Sequence, residues 1–218
     1  MPHDALHGWL AQRLQEPLPG PEAQYRLAVE GRRQRADSAD LSQARLSAVL
    51  FLLYYKDDAL HLPLIRRPDY EGVHGGQMAL PGGRLEPQDP SLAHTALRET
   101  WEEVGVAVPD ARLAGALTSL YIPPSRSLVH PFVAVLEGPP QFRPDPREVD
   151  RIFEIPLPEL HRTPLSEQSV TVMGGHRLRV PAYLVQEQVV WGATAMMLSE
   201  LLALMALHPH VAHLSSPN

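Results

Sequence analysis

Residues 81–106 read Pro-Gly-Gly-Arg-Leu-Glu-Pro-Gln-Asp-Pro-Ser-Leu-Ala-His-Thr-Ala-Leu-Arg-Glu-Thr-Trp-Glu-Glu-Val-Gly-Val: a turn, one helix and a stop. Asp89 suits the N-cap, and Pro90 then falls at the first helical position, where its missing N–H costs nothing. Gly105 supplies the left-handed residue that closes the helix. At about 100° per residue, Ala93, Leu97, Thr100 and Val104 make the buried stripe, with Glu99, Glu102 and Glu103 grouped on the other side. Like charges at these spacings repel, and more strongly where water is excluded. A divalent cation would neutralise them. Carboxylates, waters and phosphates suit Mg2+, with Mn2+ as its substitute. The bland alternative is a charged, solvated helix face. The Pro81-Gly82-Gly83 turn favours the cation, because two glycines let backbone carbonyls approach an ion closely.

The run Arg98-Glu99-Thr100-Trp101-Glu102-Glu103-Val104-Gly105-Val106 resembles the second half of the Nudix box, with Thr100 in an aliphatic slot. The first half departs from it. Eight residues before Arg98 stands Pro90 rather than glutamate, and Asp89 is the nearest acid. That shifted spacing is similar to the coenzyme A pyrophosphatase branch. So is the run Leu64-Ile65-Arg66-Arg67, then Gly76, then Leu80-Pro81-Gly82-Gly83, although Gly72 stands where a spaced arginine belongs. Val190-Trp191-Gly192-Ala193-Thr194-Ala195 resembles a segment near the end of the same enzymes. The likeness covers residues 45–207 and is most specific over 64–106.

The resemblance implies an α/β protein: an α/β/α sandwich with a mixed β-sheet and a metal-binding loop-helix-loop. It implies hydrolysis of the pyrophosphate of coenzyme A or its thioesters, to 3',5'-ADP and the 4'-phosphopantetheine portion. Glu99 and Glu103 are the leading metal ligands, Glu102 shares or bridges a further ion, and a backbone carbonyl near Gly82 or Gly83 completes the shell. Glu148 is the acid carried over from the late region of the family. Arg98 braces the carboxylates, and the general base stays open between Glu102 and Glu148. Two other classes remain open: hydrolysis of ADP-ribose, a nucleoside diphosphate sugar or a dinucleotide, and a noncatalytic sensor of a nucleotide metabolite.

The rest of the chain bounds these readings. A length of 218 residues is one domain with an extension: 1–44 extension, 45–210 domain, 211–218 a tail that frays. Hydrophobic content of 44% excludes general disorder. No apolar run approaches the length of a membrane span, and the first residues lack a secretory pattern. The absence of cysteine excludes disulfides and thiolate chemistry and fits a cytoplasmic protein. A net charge of -6 argues against nucleic acid as partner.

Taken in order, residues 4–16 read as an amphipathic helix with Leu6, Leu10 and Leu14 in register, broken by Pro17-Leu18-Pro19-Gly20-Pro21. That unassigned apolar stripe leaves room for a homodimer. Residues 22–44 read as a solvated extension that packs against the domain or a second subunit, and their basic cluster Arg32-Arg33-Gln34-Arg35 offers itself to phosphate. Leu46–Tyr55 is a central strand, and 59–67 returns as its hairpin partner despite Pro63. Arg66 and Arg67 alternate across that strand, so one of them, preferably Arg67, faces the cleft and a substrate phosphate. His74 and Gln77 sit in a glycine-rich loop within reach of ligand. Leu113–Ile122 reads as one strand, followed by a loop in which Tyr121 or Arg126 lines a pocket. Val129–Leu136 is another strand, 171–183 a late hairpin, Trp191 a packing anchor and 201–207 a core-facing helix.

Overall fold

The computed structural model describes residues 2–69, 75–172 and 174–208. Its elements run α1 (Pro2–Arg13), α2 (Gly20–Gln24), α3 (Arg32–Asp37), β1 (Arg45–Lys56), β2 (Ala59–Arg66), β3 (Met78–Ala79), β4 (Gly82–Arg84) and α4 (Leu92–Val104). There follow β5 (Leu113–Ala116), β6 (Leu120–Ile122), β7 (Ser127–Val135), β8 (Arg151–Pro156), α5 (Leu157–Arg162), β9 (Ser166–Thr171), β10 (Arg177–Val185), β11 (Gln188–Trp191) and α6 (Gly192–Met205).

β1 is the axis of a mixed sheet. It runs parallel to β7 from Arg45 to Leu53, and antiparallel to β4 over Ser47–Val49 and to β2 over Tyr54–Lys56. Its near-continuous apolar run has a direct cause: both faces are covered. Phe51 and Leu53 enter one core with Leu10, Leu198 and Leu201, while Ala48, Leu50 and Leu52 enter a second with Ala96 and Val104 of α4. Leu50, Phe51, Leu52 and Leu53 are all fully buried. Each such side chain contributes on the order of 1.5–3 kcal/mol. The result is the α/β/α sandwich, with a separate sheet of order β11-β10-β9 beside it.

β2 follows β1 through Asp57 and Asp58, both at positive φ. The two strands part after three residue pairs, and Pro63 lies beyond the parting, opposite Glu154 of β8. A proline is tolerated where the ladder to one neighbour has ended.

Several sequence expectations shift. The helix expected over 4–16 ends at Arg13, and the proline run does not only break: α2 restarts within it at Gly20, using Pro21 in its first turn. The expected strand 113–122 is two strands. Thr118, between them, gives its N–H to Glu200 (3.3 Å) and its carbonyl to Gln24 Nε2 (2.8 Å) instead of to a strand. The final helix begins at Gly192, nine residues before its expected start, and Leu201–Met205 form its buried end. The late hairpin is present as β9 and β10, and a second one joins β10 to β11 through Gln186 and Glu187 at positive φ. The tail 211–218 lies outside the described residues.

Of the two packings open to the extension, the structure shows the one on the domain. Leu6, Leu10, Leu14 and Leu27 belong to the main core, so the stripe that left room for a homodimer is covered within the chain. Glu200 of α6 fastens the extension. Fully buried, it accepts from Gly20 N (3.1 Å), Gln24 Nε2 (2.8 Å) and Thr118 N (3.3 Å), joining α2, α6 and the gap between β5 and β6. Among the described residues no helix is long and apolar enough to cross a membrane. Glu200→Ala leaves three donors without their acceptor, so it should cost about 3 kcal/mol and lower the melting temperature by roughly 6–12 °C. A thermal melt within about 2 °C of the parent would show that the staple carries no weight.

Candidate active site

The loop and helix first identified in the sequence build the site, with the cap moved by two residues. Ser91, not Asp89, is the N-cap of α4, accepting from His94 N (3.3 Å). Asp89 is drawn off by a stronger partner. Its carboxylate accepts from Arg98 Nε and Nη2 (both 2.9 Å) and from Thr95 Oγ1 (2.9 Å). The Arg98 guanidinium holds the Asp89 carboxyl well below the usual range, helped by the Glu86 N–H and Thr95. Arg98 also donates to Glu99 (3.0 Å), Glu102 (2.7 Å) and the Arg84 carbonyl (3.0 Å). It therefore ties the loop before α4, the helix and β4 together. Gly105, at φ 71°, closes the helix as expected.

The stripe of α4 is rotated from its expected position. Thr95, Ala96, Thr100, Glu103 and Val104 are buried, while Ala93 and Leu97 are half-buried. Glu103 is thus on the inner side, 1% exposed, and its Oε2 accepts from Gly82 N (2.8 Å). Arg67 Nη2 lies 3.5 Å from Glu103 Oε1 and donates to the Gly82 carbonyl (3.3 Å). Burial pushes the Glu103 carboxyl up to about 7; Arg67 and the Gly82 N–H pull the other way, and Glu99 and Glu148 add repulsion. Burial also raises Glu99, with Arg98 opposing.

Both glycines are required, for different reasons. A side chain at Gly82 would overlap the Ala48 carbonyl and the Val49 Cα of β1, and one at Gly83 would overlap the Glu99 carboxylate. The diglycine thus lets β4 lie against β1 and lets Glu99 lie against β4. Glu99, Glu103 and Glu148 each bring an oxygen to within 4.8 Å of the others. Glu148 arrives from the turn before β8 and is exposed. Three hard oxygen donors, two of them desolvated and raised in pKa, suit a divalent cation.

These acids line a cavity of about 550 Å3. Of the sequence candidates, Arg67, Gln77, Gly82, Gly83, Glu99, Glu103 and Glu148 line it. Arg66 faces elsewhere, paired with Asp150 (2.9 Å) and Asp69 (3.2 Å). Glu102 is not brought to the cluster: its side chain is 52% exposed and held by Arg98. Arg126 is not brought to the cavity either. It is exposed, in a left-handed conformation that turns the chain into β7, and Pro124, Ser125 and Ser127 line the wall in its place. Tyr121 is likewise absent from the wall, and His74 lies outside the described residues. Trp191, expected as a packing anchor, stands half-buried in the cavity wall beside Thr194, whose hydroxyl donates to the Met78 carbonyl (3.0 Å). One role was not legible beforehand, Asp89 as the grip on Arg98; of the basic cluster offered to phosphate, Arg32 is the member buried in the cavity wall.

The fold and the site together define an α/β protein whose glycine turn and carboxylate helix open onto a cavity of mixed polar and apolar lining. Known proteins agree. The chain matches the NUDIX domain over residues 44–173, and it belongs to the Nudix family. It is 38% identical over 144 residues to the Homo sapiens "Mitochondrial coenzyme A diphosphatase NUDT8", covering 65% of this chain and 61% of that protein. It is 37% identical over 140 residues to the "Uncharacterized Nudix hydrolase NudL" of Yersinia enterocolitica, covering 64% of this chain and 71% of that protein. A solved "MutT/nudix family protein from Enterococcus faecalis" superposes with TM-score 0.54 at 17% identity, over 88% of this chain and 78% of the other.

Two outcomes follow from the electrostatics and the close contacts. The native Glu103 carboxyl keeps its proton to about pH 7, whereas its ordinary value is 4.5. Stability is therefore lost as pH rises through that window, because the native state must ionise a buried group that the unfolded chain ionises freely. In chelator-treated protein, Glu103→Gln should raise the melting temperature at pH 8 by about 7–13 °C and leave it nearly unchanged near pH 4.5. Equal melts at both pH values would contradict the buried charge. Gly82→Ala should destabilise the fold, since it strikes backbone. Gly83→Ala should spare the fold and displace only Glu99, weakening Mn2+ binding by calorimetry about tenfold. Unchanged Mn2+ affinity in the folded Gly83→Ala protein would count against the Glu99 position.

Proposed function

We propose that the chain hydrolyses the pyrophosphate bond of coenzyme A or its thioesters, giving 3',5'-ADP and 4'-phosphopantetheine or its acyl form. The observation that carries the reading is the convergence of Glu99, Glu103 and Glu148 on the wall of a cavity of about 550 Å3. The likeness to a coenzyme A diphosphatase supports the substrate, and the match spans 61% of that protein's length.

Glu99, Glu103 and Glu148 hold the cation in this reading, Mg2+ or Mn2+, with a backbone carbonyl near Gly82 or Gly83 beside them. A divalent ion there would draw electron density from the bridging phosphates and stabilise charge on the transferring phosphoryl oxygens. The chain's own groups do the rest. The Gly82 N–H fixes one Glu103 oxygen, and Arg98 holds Glu99 from behind without facing the cavity. Arg67, against Glu103 and the Gly82 carbonyl, adds positive charge on the cavity wall where a diphosphate would lie. Between the two acids left open as general base, Glu148 is favoured, because it lines the cavity and Glu102 does not. Exposed on a turn, Glu148 can take a proton from the attacking water at its carboxylate and release it to solvent.

Coenzyme A incubated with the protein and Mg2+ or Mn2+ should yield equal amounts of 3',5'-ADP and 4'-phosphopantetheine by mass spectrometry. Chelator should stop the reaction, and Glu103→Gln should slow it at least about 100-fold. Rapid cleavage of ADP-ribose with coenzyme A intact would sink the substrate assignment. Tight nucleotide binding with no cleavage of either would sink the enzyme reading in favour of a sensor.

A further inference from the structure

The basic cluster of the extension sends one side chain into the cavity and turns the others away. Arg33 lies over the Tyr25 ring, 5.4 Å from its centroid, and Arg35 Nη2 donates to the Glu30 carbonyl (3.4 Å). Arg32 instead opens α3 pointing inward, 7% exposed, and lines the same cavity as Glu99, Glu103 and Glu148. Its bonding is poor for so buried a charge. Nη2 makes one long contact to the Tyr121 carbonyl (3.4 Å), Nε is buried without a partner, and no carboxylate pairs with it among the described residues. A guanidinium has five N–H donors and keeps its charge in proteins. Desolvation pushes the Arg32 guanidinium below its usual range and Arg35 adds repulsion, with Tyr25 opposing. A buried cation left so unsatisfied is costly unless an anion completes it.

The acids across the cavity do not supply that anion. Glu99 is taken by Arg98, and Glu103 by Arg67 and the Gly82 N–H. A planar guanidinium with free donors fits tetrahedral phosphoryl oxygens two at a time. We infer that Arg32 is a specificity-determining residue of this site, binding a phosphoryl group of the substrate. It is supplied by the extension, outside the residues 44–173 that match the family. The inference rests on the proposed diphosphate substrate. Coenzyme A offers two sources of that chemistry, its diphosphate and its 3'-phosphate, and a pair of substrates separates them.

Steady-state kinetics of the parent, Arg32→Gln and Arg32→Lys on coenzyme A and on 3'-dephospho-coenzyme A provide the test. Arg32→Gln should raise KM for coenzyme A by about 10- to 100-fold with kcat within about twofold, and Arg32→Lys should recover part of the loss. If the 3'-phosphate is the group held, KM for the dephospho form stays at the parent value; if the diphosphate is held, both rise together. KM values at parent level for both substrates would overturn the inference, whatever happens to the melting temperature. Should Arg32→Gln fail to fold, the KM of Arg32→Lys is decisive, since a rise of at least about threefold supports the role and no rise overturns it. If the parent cleaves neither substrate, the proposed reaction falls, and Arg32 is read from calorimetry of inorganic pyrophosphate. There, about tenfold weaker binding to the variant supports the inference and equal binding overturns it.

Discussion

A carboxylate carried on the buried side of a helix needs a donor, and Glu103 finds it in the Gly82 N–H (2.8 Å). That bond sets how close α4 must lie to β4, and β4 in turn reaches β1 only because Gly82 has no side chain to strike Ala48 and Val49. The second glycine leaves the space that the Glu99 carboxylate fills. Arg98 then fixes the helix from its other side, gripping Asp89 through two nitrogens and the Arg84 carbonyl through a third bond. The site is therefore a consequence of backbone proximity: remove the close approach and the acids have no common focus.

A second buried carboxylate performs the matching task for the extension. Glu200 takes N–H groups from Gly20 and Thr118 and the amide of Gln24. Through these it holds α2 on α6 and pins the gap between β5 and β6. Leu27 is fully buried beyond that staple, and Arg32 follows five residues later with its side chain in the cavity. The extension is part of the cavity wall rather than an appendage, and its position depends on a hydrogen-bonded acid 180 residues away in sequence.

What local pattern decides was readable from the chain alone. Both faces of β1 were apolar and both are covered; the acids on α4 followed helical spacing; Gly105 stopped the helix; alternation allowed only one of Arg66 and Arg67 to face the cleft. What long-range partners decide was not. Asp89 and Ser91 are both good caps, and only Arg98's demand for a carboxylate separates them. Glu99, Glu102 and Glu103 look equivalent on a helical wheel, yet Arg98 holds Glu102 in solvent while the Gly82 N–H draws Glu103 inward. The interruption at Thr118 belongs to Glu200, and the burial of Arg32 belongs to the packing of the extension. Neither leaves a local trace.

The charges of the cavity complete the physical picture. Three carboxylates bring an oxygen within 4.8 Å of one another, and Arg67 and Arg98 offset their charge only in part. Elsewhere on the same wall Arg32 carries positive charge with one long hydrogen bond to show for it. These excesses do not cancel, because each is fixed on its own rigid element and no ion pair joins them among the described residues. Moving either side chain to meet the other would break the bonds to Gly82 or to Tyr121. The protein therefore holds both signs apart at some cost in stability, which is the pattern expected of a preorganised site rather than of a structural ion-pair network. A ligand combining a hard cation with a polyanion relieves both excesses at once. A neutral ligand relieves neither, which is the electrostatic ground for the diphosphate substrate proposed above.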